Sequence, residues 1–435
     1  MQRQLPGGLI LRSLSEGYES DSARLPQFYF SVFSLDNDPE EERTVIPWTL
    51  DLMDGHPTVT KDDIFVVVDP AKDDMIVSAT LMIPQVWRYE DVELSVGRPE
   101  IVATHPEYRR RGLVRALFDA VHERSAALGH NVLFITGIPN FYRQFGYTMA
   151  VDLGGHAMLN TVLIKPRETP QFTLRPATDA DIPDMKRWSE DFARQKLLSA
   201  VYNEQQWHYE LNGRREGAPW TLLYLVIVNT AGESVGYVAL RGITFHNMIN
   251  CITYIVGDKS SYFETFGDVI AGIKQWATER FGTCPAVLDF ATGVHETVSV
   301  LIDRTLAGLV RRREYAYYMR IVDIVRFLND IKPVLERRLE GSGAHRYTGT
   351  LAVGFYDKTG VTFQFENGCI KDITGGALDN SDIAFPYHMF LNVIFGYHTA
   401  DEIRTILPDV WANTKAAVLL PILFPKKRSW LQPIC

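Results

Sequence analysis

IVATHPEYRRRGLVRALFDAVHERSAALGHNVLFITGIPNFYRQFGY, residues 101–147, is the stretch on which the reading of this chain turns. It opens on a short apolar strand, 101–104, and runs through His-Pro-Glu-Tyr into Arg109-Arg110-Arg111-Gly112-Leu113-Val114-Arg115. Leu113, Leu117, Ala120 and Val121 then recur at helical spacing, and the pattern closes at Leu128-Gly129, where glycine suits a left-handed cap. Val132-Leu133-Phe134-Ile135 is a continuous apolar run of the kind buried on both faces of a sheet. Gly137 ends it, and Phe141-Tyr142-Arg143-Gln144-Phe145-Gly146-Tyr147 follows.

Strand, basic glycine turn and helix together make an anion site. A helix N-terminus offers unpaired N–H groups and partial positive charge, which suit a pyrophosphate. Gly112 lets the backbone approach such a ligand, and the three arginines before it add cations. The rival reading is a solvated basic helix start.

These residues resemble the GNAT acetyltransferase superfamily, whose acetyl-CoA signature is Arg/Gln-x-x-Gly-x-Gly/Ala between a strand and a helix. Here it reads Arg109-x-x-Gly112-x-Val114, with Val114 in place of the last small residue. After the next strand comes Tyr142-x-x-Phe145-Gly146-Tyr147, where the superfamily often keeps a tyrosine that protonates the leaving thiolate. The arrangement across the chain is similar to the enhanced intracellular survival (Eis) family. The resemblance implies an α+β chain of two tandem GNAT folds followed by a sterol-carrier-like α/β domain. It places acetyl-CoA against Val102, Ala103 and Thr104, against Arg110, Arg111, Gly112, Leu113, Val114 and Arg115, and against Gly137 and Ile138. It also implies a homo-oligomer, a hexamer in this family.

The 435 residues suit two or three domains, each large enough to bury a core. Hydrophobic content of 46% and charged content of 22% are ordinary for a globular protein. The net charge of −9 argues against general nucleic-acid binding and fits cationic ligands as well as it fits plain solubility. Cys251, Cys284, Cys369 and Cys435 lie far apart, without metal-ligand spacing, and read as reduced thiols. The eleven histidines show no ligand pattern, so no metal is expected. Residues 1–8 carry no signal-peptide pattern, and the longest apolar run, 416–424, is short and contains Pro421. The expectation is a cytoplasmic protein without a membrane span.

In order, Leu9-Ile10-Leu11 reads as a first strand, 26–33 as a helix whose aromatics face a core or pocket, and 36–43 as an acidic surface loop. Residues 64–69 and 75–83 read as paired strands, and 92–97 leads into the cofactor strand. The first domain is expected to span 1–165, the second 172–320 and the third 322–435. The second repeats the order of hairpin, strand, helix, apolar strand and glycine, with Thr178 or Asp179 capping one helix and Ser261-x-x-Glu264 opening another. Where the first has Arg109 to Gly112, the second has Gly257-Asp258-Lys259-Ser260, so a carboxylate stands where a pyrophosphate would bind and the copy reads as structural. In the third, alternation in 351–355 and 361–365 and the dipeptide Asn367-Gly368 predict hairpins. Its apolar stripes read as core rather than as a lipid pocket.

Transfer of acetyl from a thioester to an amine needs a neutral amine, a polarised carbonyl and a protonated leaving sulfur. A backbone N–H near Val102 is the candidate for polarising the carbonyl. Tyr142 suits the acid, because a phenol titrates near 10 and a cysteine-like thiol near 8.5. Its rival reading is a packed aromatic, and Tyr147 after Gly146 reads as structural. No His or Glu stands out as base. In the Eis family the chain's terminal carboxylate takes that role, which the resemblance carries to the carboxylate of Cys435, where the family usually ends in a bulkier aromatic. The expected function is acetyl-CoA-dependent N-acetylation of a primary amine, with aminoglycosides, polyamines and lysine side chains as classes. The alternative is a non-catalytic acyl-CoA or lipid-binding protein.

Overall fold

Short apolar runs separated by polar turns build three sheets. The computed structural model describes the whole chain except residues 17–18, 36, 154, 245–246, 292–295, 306–309, 313–314 and 432–435. The first sheet uses β1 (Gln2–Gln4), β2 (Ile10–Ser13), β3 (Ile64–Asp69), β4 (Met75–Tyr89), β5 (Val92–Thr104), β6 (Val132–Ile135) and β7 (Thr148–Leu153). α1 (Glu19–Phe33) and α3 (Val45–Met53), with the short α2 (Pro39–Glu42) between them in the chain, pack on one face, and α4 (Leu113–Ala127) packs on the other; α2 itself buries no residue. The strand expected at 101–104 is the end of the 13-residue β5. The helix expected from Pro26 starts earlier, at Glu19, because the buried Asp21 is anchored by Arg12 at 2.8 Å. The acidic segment expected as a loop contains the short helix α2, whose first turn Asp38 caps at 3.0 Å through the N–H of Glu40. Asp36 itself lies outside the described residues.

The second sheet is built from Phe172–Pro176, Leu222–Asn229, Ser234–Arg241, Met248–Val256 and Val287–Phe290, with the helix Tyr262–Phe281 against it. Its sequence signals hold. Thr178 and Asp181 form a capping box, and so do Ser261 and Glu264.

The two sheets also trade strands. Tyr315–Ile321, late in the chain, lies between β6 and β7 of the first sheet and is antiparallel to both. Conversely, His156–Asn160 lies between Val287–Phe290 and Val310–Arg312 of the second. Each lent strand satisfies backbone groups on both its sides, which two short, buried strands would otherwise leave unpaired. The expected boundary at 165 falls just beyond one lent strand, and the expected boundary at 320 falls inside the other. Multiple sheets of this kind fit tandem domains.

In the third region, strands Gly349–Phe355, Thr359–Glu366, Cys369–Ala377, Ile383–Phe385 and Trp411–Ala412 form a five-stranded sheet. Asn367 and Gly368 both have positive φ, 53° and 82°, as a tight hairpin turn requires. Phe363, Phe385, Phe390 and Phe424 fill this core, which is continuous with Trp87, Phe134 and Tyr317 of the first sheet. Tyr89 donates to the carbonyl of Ile394 at 2.7 Å across that junction.

Candidate functional site

β5 is the element that shapes the site. It pairs with β4 in register through Glu100↔Leu81 and resumes at Ala103↔Ala79, so one extra residue is accommodated on β5. Ile101 takes φ +49° there, a costly conformation for a β-branched residue. On its other side β5 pairs with β6 only at Val96↔Val132 and Gly97↔Leu133. Beyond that point the two parallel strands diverge. Arg98 helps to hold them apart, with its guanidinium 5.7 Å from the ring centroid of Phe134 and ion-paired with Glu100.

A cavity of about 740 Å³ opens beside this splay. Val102, Ala103 and Thr104 form one wall. Arg109, Arg110, Gly112, Leu113, Val114 and Arg115 form the turn and first residues of α4 against it. Gly112 has φ +78°, and a side chain added there would meet nothing within 4 Å, so the position faces open space. The first N–H groups of α4 have no acceptor within the helix, and this end of the cavity is accordingly electropositive. Arg115 lies 5.1 Å over the ring of Phe145 and donates to Gln144 at 3.3 Å.

Two expected contact residues stand apart from the lining. Arg111 turns back over the ring of Tyr108 at 4.6 Å and donates to the carbonyl of Glu107 at 2.9 Å. Gly137, at φ +120°, sits under the phenol of Tyr142 while its neighbour Ile138 lines the cavity. The wall also includes residues for which the sequence suggested no cofactor contact, Val32 and Phe33 from the end of α1, Asn37 after it, and Phe141, Gln144 and Phe145. For Phe33 the aromatic spacing of 26–33 was the available signal, and it left core and pocket undivided.

Tyr142 stands on the short turn Phe141–Phe145, whose outer aromatics are in the cavity wall. Tyr142 is itself buried, with ring centroids 5.3 Å from Phe141, 5.8 Å from Phe118 and 5.5 Å from Tyr318. Burial pushes its pKa well above the ordinary phenol value, and the charge of Glu100 and the phenols of Tyr315 and Tyr318 push the same way. Its proton is therefore held throughout the neutral range. Tyr147 is bonded to His122 Nε2 at 2.9 Å, and burial with the charge of Arg320 brings His122 down to about 4. Arg98 and Glu100, ion-paired inside an apolar strand, are charged signals in the sequence to which no role was attached.

Around the corresponding turn of the second half the described residues pack on one another. A side chain on Gly257 would collide with the indole of Trp188. Tyr254 and Thr265 share a 2.6 Å hydrogen bond, and Tyr262 donates to the carbonyl of Tyr254 at 3.3 Å. The carboxylate of Glu264 takes the N–H of Ser261 at 3.0 Å, and Asp258 pairs with Arg187 at 3.3 Å.

The tail docks as an extra strand. Leu197 N–H donates to Arg428 O at 2.8 Å, Trp430 N–H donates to Leu198 O at 2.8 Å, and Ser199 pairs in parallel with Trp430. Leu198–Ala200 is antiparallel to β4 at Tyr89 to Trp87, so 428–431 runs along β4 toward its irregularity opposite Ile101. Trp430 and Leu431 are buried. The basic run lies on the surface as expected, with Lys426 and Arg428 exposed and Lys427 partly so, and its cations are ion-paired there, Lys426 to Glu402, Lys427 to Glu90 and Arg428 to Asp152. Cys435 lies outside the described residues. Among the described residues no group of three or more His, Cys, Asp or Glu side chains is placed to hold a metal ion, and no helix is long and apolar enough to cross a membrane.

Comparison with known proteins bears on this geometry. The acetyltransferase (GNAT) domain family matches residues 32–150, which include the splay, the arginine-glycine turn and Tyr142. A comparison with curated proteins finds no match. Among solved structures, a GCN5-related N-acetyltransferase from Anabaena variabilis is similar over 97% of this chain and 99% of its own, with TM-score 0.67 and 13% identity. A conserved protein of unknown function and probable N-acyltransferase from Enterococcus faecalis gives TM-score 0.64 at 13% identity, covering 97% of this chain and 98% of its own. Eis1 from Mycobacterium abscessus gives 0.61 at 12%, covering 97% and 99%. Residues 32–150 thus match the acetyltransferase (GNAT) domain family, and the fold of the chain is similar to those of the solved GCN5-related N-acetyltransferase and of Eis1.

Proposed function

We propose that the chain is an N-acetyltransferase that takes acetyl-CoA in the cavity beside β5 and transfers its acetyl group to a primary amine. The observation that carries this reading is the divergence of β5 from β6 next to an arginine-flanked helix N-terminus. The pyrophosphate would lie against Arg110, Gly112 and the first N–H groups of α4. The pantetheine arm would follow Val102 to Thr104 into the splay. Residues 101 and 102 have no register partner on β4, which leaves the N–H of Val102 for the thioester carbonyl. As the amine nitrogen bonds to the carbonyl carbon and the carbon–sulfur bond breaks, Tyr142 gives its proton to the thiolate.

The direct test is thiol release from acetyl-CoA with an aminoglycoside, a polyamine and a lysine peptide. Turnover with at least one amine, and its mono-acetylated product by mass, is the expected result. Acetyl-CoA binding without thiol release from any amine would favour the non-catalytic acyl-CoA binder instead.

The amine must also lose a proton, and the carboxylate of Cys435 is the proposed acceptor. The support is the direction of the docked strand 428–431 along β4 toward Ile101. A free carboxylate titrates near 3.5, so the role needs a raised pKa or a relaying water. Cys435→Ser keeps that carboxylate and should turn over normally, whereas several residues added after Cys435 should lower turnover by about a hundredfold. Full activity of the extended chain would remove the role. By the same family resemblance the chain is proposed to act as a cytoplasmic homohexamer, with 322–435 as a sterol-carrier-like domain.

A further inference from the structure

The strand Tyr315–Ile321 comes late in the chain, yet it ends up beside the catalytic candidates of the first sheet. Tyr318 stands opposite Ile135 on one side and Met149 on the other. Ile135 is the last residue of β6, so Tyr318 sits at the root of the loop that leads to Tyr142. It is fully buried, and its hydroxyl accepts the backbone N–H of Asn140 at 2.6 Å. Its ring meets that of Tyr142 at 5.5 Å and 68°. Tyr315, half-buried, donates to the carbonyl of Gly137 at 2.8 Å. The two phenols of this one strand therefore hold both ends of the loop 137–140, one at the N–H of Asn140 and the other at the carbonyl of Gly137. Both of those loop residues have positive φ, 63° for Asn140 and 120° for Gly137, which asparagine and glycine accept without much strain, so the path of the loop is set by its anchors.

We propose that Tyr318 and Tyr315 are positioning residues that fix the loop 137–140 and so aim the hydroxyl of Tyr142, which makes a strand from late in the chain a contributor to the active site of the first sheet. The proposal rests on Tyr142 being the acid. Phenylalanine at 318 keeps the ring contact but leaves the N–H of Asn140 without its acceptor, and the loop must shift to satisfy it. An acid displaced from hydrogen-bond reach costs rate, while pyrophosphate contacts at α4 are untouched.

The experiment compares Tyr318→Phe, Tyr315→Phe, Tyr142→Phe and the double variant Tyr142→Phe/Tyr318→Phe by kcat, KM and thermal midpoint. Tyr318→Phe should lower kcat about tenfold with the acetyl-CoA KM within about twofold, and the double variant should be no slower than Tyr142→Phe alone. A purely structural role would lower the midpoint and leave kcat unchanged, or give losses that add in the double variant, and either result overturns the proposal. If Tyr142→Phe alone keeps normal turnover, the acid assignment fails and takes this proposal with it. Loss at Tyr142 with an additive Tyr318 removes the proposal and leaves the acid in place. Should Tyr318→Phe fail to fold, Tyr315→Phe reads the other end of the same loop, and an unchanged kcat there is equally decisive against it.

Discussion

Tyr142→Phe should lower turnover by about a hundredfold or more, the usual size of a general-acid contribution, while acetyl-CoA affinity and thermal stability stay near normal. The substitution removes one oxygen and keeps the ring against Phe118, Phe141 and Tyr318, so the buried aromatic cluster has no reason to collapse. It also leaves the arginine-glycine turn alone, which is where cofactor affinity is expected to reside. Burial with Glu100, Tyr315 and Tyr318 nearby raises the pKa of Tyr142, so the lost group is a proton donor at every neutral pH. The defect should therefore be the same across the neutral range rather than confined to one limb of a pH profile. Turnover within about threefold of the parent would be far below any general-acid loss and would move the role elsewhere, with Tyr147 tested next. The bond from Tyr147 to His122 makes that second choice an already partnered hydroxyl.

The parts of this site legible in the sequence are those whose geometry is set locally. Gly112 could be assigned because a turn between a strand and a helix needs a residue that accepts positive φ, and it has φ +78°. Asn367-Gly368 was legible for the same reason, and Ser261 with Glu264 because a capping box spans three residues. What escaped depends on partners distant in sequence. Nothing in Tyr315 to Ile321 says that it pairs with Val132 to Ile135 rather than with its own half, since both halves offer apolar strands of similar composition. Phe33 enters the wall because α1 crosses the splay, a matter of packing. Arg111 illustrates a different limit. Successive side chains in a tight turn point in different directions, so a run of three arginines identifies the turn and not which members face the ligand. The tail was legible in its apolar finish, but its pairing with Leu198 is a contact across more than two hundred residues.

Gly112→Asp should abolish measurable acetyl-CoA binding, lowering affinity by at least a hundredfold, which corresponds to about 2.7 kcal/mol. Two effects act together. At φ +78° any side chain is strained, although aspartate tolerates the left-handed region better than most residues, so the fold should survive. The larger effect is charge. The position faces open space at the N-terminus of α4, so its carboxylate would project to where the pyrophosphate is proposed to lie. Two unit charges about 4 Å apart repel by roughly 4 kcal/mol near a protein surface, and the carboxylate would also claim N–H groups meant for the ligand. Gly112→Ala separates the terms, because it keeps the strain and omits the charge, and its loss should stay below about tenfold. Arg110→Ala should raise the acetyl-CoA KM well beyond any change in the amine KM. Calorimetry reads all three, with one equivalent per chain expected in the parent because Asp258 stands where a second pyrophosphate would bind. Unchanged affinity in Gly112→Asp would place the cofactor somewhere other than the turn at Arg109 to Gly112. A full equivalent still bound, with the first site's turnover gone, would instead mean that the second half binds the ligand after all.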